Sequence, residues 1–298
     1  MPLLINFHER IFMRSTIAIA FLLVSSVLNA QNLNGIWRGK LTPEAGGCFP
    51  VYYLELQISE INNVISGNAY DYYDKTRFVR LDFNGRFNTT TKRLVLIEEK
   101  ILTVQIPRDC FPCIKTYDLT YSQNGKDEFL TGDFKGHGAD RRLACPPGRI
   151  VLQRMMQSEF PVQVRQNDTL ARIQQAIQLK PREKEVVQTY ILDTSHIKIE
   201  LYDNAEIDND TVSVFLNNTL LLYKKRLTDK ALPLTVSAFP GTEYELMMYA
   251  ENLGSIPPNT ALMVITSGKK RYELRVSSSE QKSAVVKFVY QPPQSHAQ

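Results

Sequence analysis

The chain has 298 residues, of which 43% are hydrophobic and 22% charged, and its net charge is +4. That balance supports folded cores and excludes an intrinsically disordered chain. A charge so close to neutral also supplies no electrostatic footprint for nucleic acid, and the length favours two domains.

Residues 1–30 read as a targeting segment. Arg10 and Arg14 precede the apolar run Ile17–Val24, and the following Ser25–Ala30 ends in a small residue. The run is too short to cross a bilayer, so a cleaved signal peptide is predicted, with Gln31 opening the mature chain. A retained anchor is the alternative, and Met13 is an alternative start. No cysteine lies near the cut, so a lipoprotein is not indicated. The predicted destination is the periplasm, the cell surface or the medium, with no transmembrane segment left after cleavage.

All four cysteines, Cys48, Cys110, Cys113 and Cys145, lie in the first half of the chain. An even number in an exported protein predicts two disulfides, with all three pairings open. Cys110-Phe-Pro-Cys113 also has redox spacing, but it lies between strand-like runs and not at a helix N-terminus. A zinc site would need a second close cysteine pair.

Residues 31–157 are predicted to form a first, all-β domain. Its strands are Asn34–Leu41, Val51–Ser59, Val64–Tyr73, Phe78–Phe87, Arg93–Ile97, Ile101–Ile106, Ile114–Tyr121, Phe129–Phe134 and Ile150–Arg154. Tyr52, Leu54, Leu56 and Ile58 point one way and Glu55 and Gln57 the other, as a half-buried strand requires. Turns are marked by Asn62-Asn63, Thr89-Thr90-Thr91 and Asn124-Gly125. Eight or nine short strands at hairpin spacing, with no long helix, favour an up-and-down barrel or a curved meander.

Gly35-Ile-Trp37, Ile65–Tyr70, Leu130–Phe134 and the closing Arg149–Arg154 resemble the strand rhythm of the avidin and lipocalin barrels. The resemblance implies that the tryptophan plugs one end while the other opens onto a small-molecule cavity. The cysteine-bearing loops depart from both families, and no ligand-contacting position carries over. Tyr52, Tyr70 and Tyr72 are the candidate ligand-binding residues, as walls of an aromatic cavity. Ordinary strand and core tyrosines are the alternative, since an eight-stranded barrel can be filled by side chains alone.

Residues 158–185 are predicted to be a linker with a short helix. Asp168 can cap it, Leu170, Ile173 and Ile177 share one face, and Pro181 ends it. Docking on its own protein is favoured over partner binding. Charged Lys180–Glu185 is predicted to be a solvated link.

Residues 186–292 are predicted to form an antiparallel β-sandwich, followed by a polar tail over 293–298. Ile197, Ile199 and Leu201 alternate with polar residues, an acidic corner follows, and Val212, Val214 and Leu216 alternate again up to a two-residue turn at Asn217-Asn218. Further strands are Val186–Leu192, Leu232–Val236, Tyr244–Ala250, Ala261–Thr266, Arg271–Val276 and Ala284–Val289. Leu201–Val212, Tyr249–Leu262 and Lys282–Val286 resemble an uncharacterised module at the C-terminus of bacterial exported proteins. That resemblance implies location and architecture, and no activity. Lys224–Arg226 and Lys269–Arg271 read as gatekeepers against edge-to-edge pairing.

Asp203, Glu206, Asp208 and Asp210 are the candidate metal ligands, with Ca²⁺ as the one cofactor to consider. Oxygen-rich loops suit a hard cation, but the spacing is not that of an EF-hand, and a solvated acidic turn is the alternative. The mature chain has only His137, His196 and His296. No nucleophile elbow, P-loop, dinucleotide fingerprint or zinc-protease motif is present, and Glu98 and Glu99 point to opposite faces of a strand. Catalysis is therefore not predicted. The expected role is that of a binding protein, whose barrel takes a small ligand or an envelope protein and whose second domain displays it. A structural or adhesive envelope protein is the alternative, and a hydrolase of extracellular polymers is third.

Overall fold

The computed structural model describes residues 32–293, except 45, 62–63, 141–142, 165, 167 and 205–206; the predicted signal peptide, His296 and the Asn62-Asn63 turn lie outside the described residues. Strands dominate. In the first half they are β1 (Gly35–Pro43), β2 (Tyr52–Ile61), β3 (Val64–Asp74), β4 (Arg77–Asn88), β5 (Arg93–Gln105), β6 (Cys113–Asn124), β7 (Asp127–Gly138) and β8 (Ala144–Met155). Each pairs antiparallel with the next, and β8 returns to β1 over Gly148–Met155, which closes the barrel. Closure leaves the outer sides of β1 and β8 paired with each other and not free.

Alternation decides what fills the barrel. Leu54, Leu56 and Ile58 of β2, Ala69 of β3, Phe83 of β4, Leu94 and Leu96 of β5 and Tyr117 and Leu119 of β6 are all buried in one core. Trp37 belongs to it too, and its Nε1 donates to the Leu33 carbonyl at 2.9 Å. The Arg154 guanidinium lies 4.5 Å from the Trp37 ring and donates to the carbonyls of Asn32 and Asn34, so this end is sealed.

One predicted break does not occur. Arg93–Ile97 and Ile101–Ile106 were expected as separate strands because Glu98-Glu99-Lys100 interrupts the apolar pattern. They form the single strand β5, and register shifts against β4 absorb the extra residues at Glu99 and Leu102. Its pairing with β6 covers only Arg93–Ile97 against Thr116–Thr120. Beyond that point β5 is laddered to β4 alone.

After β8 the segment Ser158–Pro161 crosses the outside of the barrel, with Phe160 stacked on Tyr70 at 4.2 Å. Helix α1 (Asp168–Ala176) follows, and Leu170, Ile173 and Ile177 pack against Phe215, Leu220 and Tyr249. The predicted helix face thus docks on its own chain.

The second half comprises β9 (Glu183–Leu192), β10 (His196–Asp203), β11 (Thr211–Leu216), β12 (Thr219–Arg226), β13 (Leu232–Ser237), β14 (Glu243–Ala250), β15 (Asn259–Ser267), β16 (Lys270–Ser278) and β17 (Lys282–Tyr290). They form a four-stranded sheet ordered β13-β10-β15-β16 and a five-stranded sheet ordered β12-β11-β14-β17-β9. The sheets are not wholly antiparallel: the first and last strands of this half, β9 and β17, run side by side in parallel. Asn217 and Asn218 both have positive φ, the conformation of the predicted two-residue turn. Both basic runs lie on or beside edge strands, β12 and β16.

Ile197, Ile199, Leu201 and Ile265 of one sheet and Val212, Val214, Leu246 and Phe288 of the other share a second core. Ile36 of β1 also belongs to it, while its neighbour Trp37 points into the barrel. Because successive strand side chains point to opposite faces, β1 serves both cores.

Candidate functional site

A cavity of about 440 Å³ lies at the end of the barrel opposite Trp37. The strand directions place it there: its walls come from the C-terminal part of β1, the start of β2, the end of β3, the start of β4 and the loops after β1 and β5. Leu41, Val79 and Phe134 line it from the strands, and Phe49, Ile106 and Phe111 from the loops.

Two disulfides frame it. Cys48 in the loop after β1 is bonded to Cys110 in the loop after β5, and Cys113 at the start of β6 to Cys145 of β8. The Cys-x-x-Cys cysteines therefore pair with distant partners and not with each other. Aromatic contacts settle the first loop: Phe49 stacks on Tyr73 at 5.2 Å and meets Tyr52 edge-on at 5.7 Å. The Tyr52 hydroxyl accepts from the backbone N–H groups of Cys48 and Phe49.

The floor is polar and buried. Lys115 Nζ donates to Asp71 Oδ2, and the two side chains are only 6% and 12% exposed. Among the described residues they are the charged ones that line the cavity. Asp71 Oδ1 is buried and has no hydrogen-bond partner in the protein. Behind them Glu98, 2% exposed, accepts from the Lys115 N–H and from the Tyr117 hydroxyl, each at 2.6 Å. Here a carboxylate takes the backbone donor released where the β5–β6 ladder stops.

Burial pushes the Glu98 carboxyl up to about 7, against the pull of the Lys115 charge and the Tyr117 hydrogen bond. Burial also works to lower the Lys115 ammonium, but Asp71 and Glu98 outweigh it and hold its pKa above the ordinary value. The Tyr117 phenol is raised by burial first and then by both carboxylates, so it stays a donor. Glu99 lies on the other face of β5 and accepts from Asn84 at 2.6 Å.

Tyr52 and Tyr72 line the cavity, and burial pushes the Tyr72 phenol up to about 12. Tyr70 is elsewhere: its ring is stacked under Phe160 and its hydroxyl donates to the Pro161 carbonyl at 3.2 Å. Sequence reasoning missed Asp71 and Lys115, and it weighed Glu98 only as an acid–base partner of Glu99 and set it aside. Alternation places Asp71 and Ala69 on one face of β3, and that was the available signal.

The acidic corner of the second half is also assembled in part. Asp208 Oδ2 accepts from the Ile256 N–H at 2.9 Å and Asp210 Oδ2 from the Thr260 N–H at 2.8 Å, so the first carboxylate pins the loop between β14 and β15 and the second the start of β15. Gly254 in that loop has φ +62°, and a Cβ there would lie 2.4 Å from Asp208 Oδ2. One oxygen each of Asp203, Asp208 and Asp210 is buried without a partner. Burial pushes the Asp210 carboxyl up to about 6, and the charges of Asp208 and Asp203 add to the shift. Glu206 lies outside the described residues, and among the described residues no three acidic, histidine or cysteine side chains form a group able to hold a metal. His137 Nδ1 faces the Gly138 carbonyl at 2.8 Å.

The disulfides indicate an oxidising, exported location, and among the described residues no helix is long and apolar enough to cross a membrane. Compared with protein-family models, with curated proteins and with solved structures, the chain matches none.

Proposed function

We propose that this is an exported binding protein whose barrel receives a small, largely apolar molecule through its open end. The cavity of about 440 Å³ beneath the disulfide-framed loops carries the reading. Ligand pockets run from roughly 300 to 1,000 Å³ and combine apolar walls with a few buried polar groups. Leu41, Val79 and Phe134 supply such walls, and the Asp71–Lys115 pair supplies the polar groups. A purely structural barrel would gain stability by filling this space.

The second half is read as a β-sandwich domain that positions the barrel, since residues of both sheets share one core and Ile36 reaches into it. Removal of a signal peptide over residues 1–30 completes the proposal.

Titration with the fluorescent probe N-phenyl-1-naphthylamine tests the binding role. Saturable emission enhancement at one site per chain is expected, and Ala144→Trp, an exposed change at the cavity wall, should abolish it. Absence of saturable binding by the wild-type protein, or unchanged binding by a folded Ala144→Trp variant, would overturn the assignment.

A further inference from the structure

We propose that the open edge of β9 is a docking surface for a second copy of this chain, which adds its own β9 in antiparallel register centred on Thr189.

The two sheets of the second half present four edge strands, and three of them are blocked, each in its own way. On β12 the α1 region supplies side chains to the backbone: Gln174 accepts from the Leu220 N–H and Gln166 donates to the Leu220 carbonyl, each at 2.8 Å. β13 carries Pro233, which has no N–H, and β16 carries Lys270, Arg271 and Arg275. Helix cover, proline and cationic side chains all keep a sheet edge from pairing with another chain. β9 has none of these from Val186 to Leu192, a run without charge or proline. Its one irregularity is a register shift beside Val186, ahead of the regular stretch Gln188–Leu192, and among the described residues it is paired with β17 alone.

The backbone of that stretch is ready to pair. Leu192 gives its carbonyl to the Gln291 N–H on the β17 side at 2.8 Å, so strand alternation turns the backbone groups of Thr189 and Ile191 to the open side. There the Thr189 carbonyl meets the side-chain amide of its neighbour Gln188 at 3.3 Å, longer than an ordinary ladder bond. The side chains are equally uncovered: Val187 is 41% exposed and Ile191 63%.

Self-complementarity selects a second copy as the occupant. With Thr189 opposite the same residue of that copy, Val187 comes opposite Ile191 on both sides of the two-fold axis, so one contact covers both exposed apolar side chains twice. Glu185 and Asp193 also come opposite each other. Each is already paired within its own chain, with Lys282 at 3.5 Å and Lys270 at 2.9 Å. The two five-stranded sheets would join into one of ten strands, and nothing in this contact depends on what the barrel binds.

Sedimentation velocity of the purified protein between about 1 and about 100 µM should show monomer passing to dimer as concentration rises. Ile191→Lys should weaken that association at least about tenfold, because a charge would then be covered opposite Val187. Thr189→Cys locates the contact. All four natural cysteines are held in disulfides, and residues opposite one another in such a pair lie ~5.5 Å apart, within disulfide reach, so mild oxidation should give a covalent dimer on a non-reducing gel. Asp229→Cys, exposed in the loop after β12, should stay largely monomeric. All three variants change exposed side chains and should melt with the wild type. A protein that is monomeric throughout this range overturns the proposal and leaves the edge to a strand of a different protein. A dimer that Ile191→Lys leaves intact, or that cross-links as readily through Asp229→Cys as through Thr189→Cys, overturns it as well, since the copies would then meet elsewhere.

Discussion

Replacing Glu98 by Gln should remove a pH dependence of stability located in the floor of the barrel. The carboxyl is raised from an ordinary 4.5 to about 7 in the folded protein, chiefly by burial. A raised folded value means that the native state holds its proton more tightly than the unfolded chain. The associated stability is complete below pH ~4.5, declines as pH rises and is gone above ~7. At about 1.4 kcal/mol per tenfold change in proton affinity, the loss across that window is on the order of 3 kcal/mol. Glutamine keeps the shape, can accept from the Lys115 N–H and can donate to the Tyr117 oxygen once that hydroxyl rotates. It carries no proton to lose. Urea unfolding of both proteins between pH 4.5 and 8, followed by the fluorescence of Trp37, the chain's single tryptophan, reads the barrel directly. The two should be nearly equal at the acidic end and diverge in favour of Glu98→Gln toward neutrality. Other carboxylates cancel in the difference. A difference that stays constant across this range would refute the argument, because Glu98 would then ionise as it does in water.

Asp210→Asn should behave similarly in the second half: its carboxyl, raised to about 6, makes stability fall as pH climbs through that value. The variant should melt about 3 °C above wild type at pH 7.5 and equal it near pH 4, by differential scanning fluorimetry, with no further shift from millimolar calcium. Ile36→Ala should cost about 3 kcal/mol in urea, and Trp37 fluorescence and far-ultraviolet dichroism should still change together, since Ile36 joins the second core while Trp37 sits in the first. Separated transitions would show two independently stable halves. Replacing both Cys48 and Cys110 by Ser opens a loop whose ends are 62 residues apart and should cost about 4 kcal/mol of unfolding free energy, measured by urea titration.

Period-two patterning reads backbone architecture well and coverage poorly. Every barrel strand except the division of β5 was placed by alternation and turn residues, and Asn217-Asn218 named its own turn because few residues tolerate positive φ. Glu55 and Gln57 were legible as outward-facing, yet both are buried. Ser158 and the Glu159 N–H approach Glu55 from about a hundred residues away, and no local pattern announces that strap. For the same reason Tyr70 looked like a cavity residue when its ring was reserved for Phe160. The cavity floor was hidden differently. Asp71, Glu98 and Lys115 come from three strands, and charged residues in strands ordinarily face water. Their convergence depends on β5 parting from β6 after Ile97, a feature set by tertiary closure. The cysteines announced oxidation but not pairing, because loop proximity follows from the order of strands around the barrel.

Two covalent bonds tie the rim of the barrel at the end where the β5–β6 ladder is missing. Cys48–Cys110 runs from the loop after the first strand to the loop after the fifth, halfway around the ring, and Cys113–Cys145 reaches over β7. A nascent polypeptide in a reducing compartment could ladder its strands and bury Trp37, but it would lack the finished rim. On the proposed binding role, a finished cavity rim would then form only after both disulfides close.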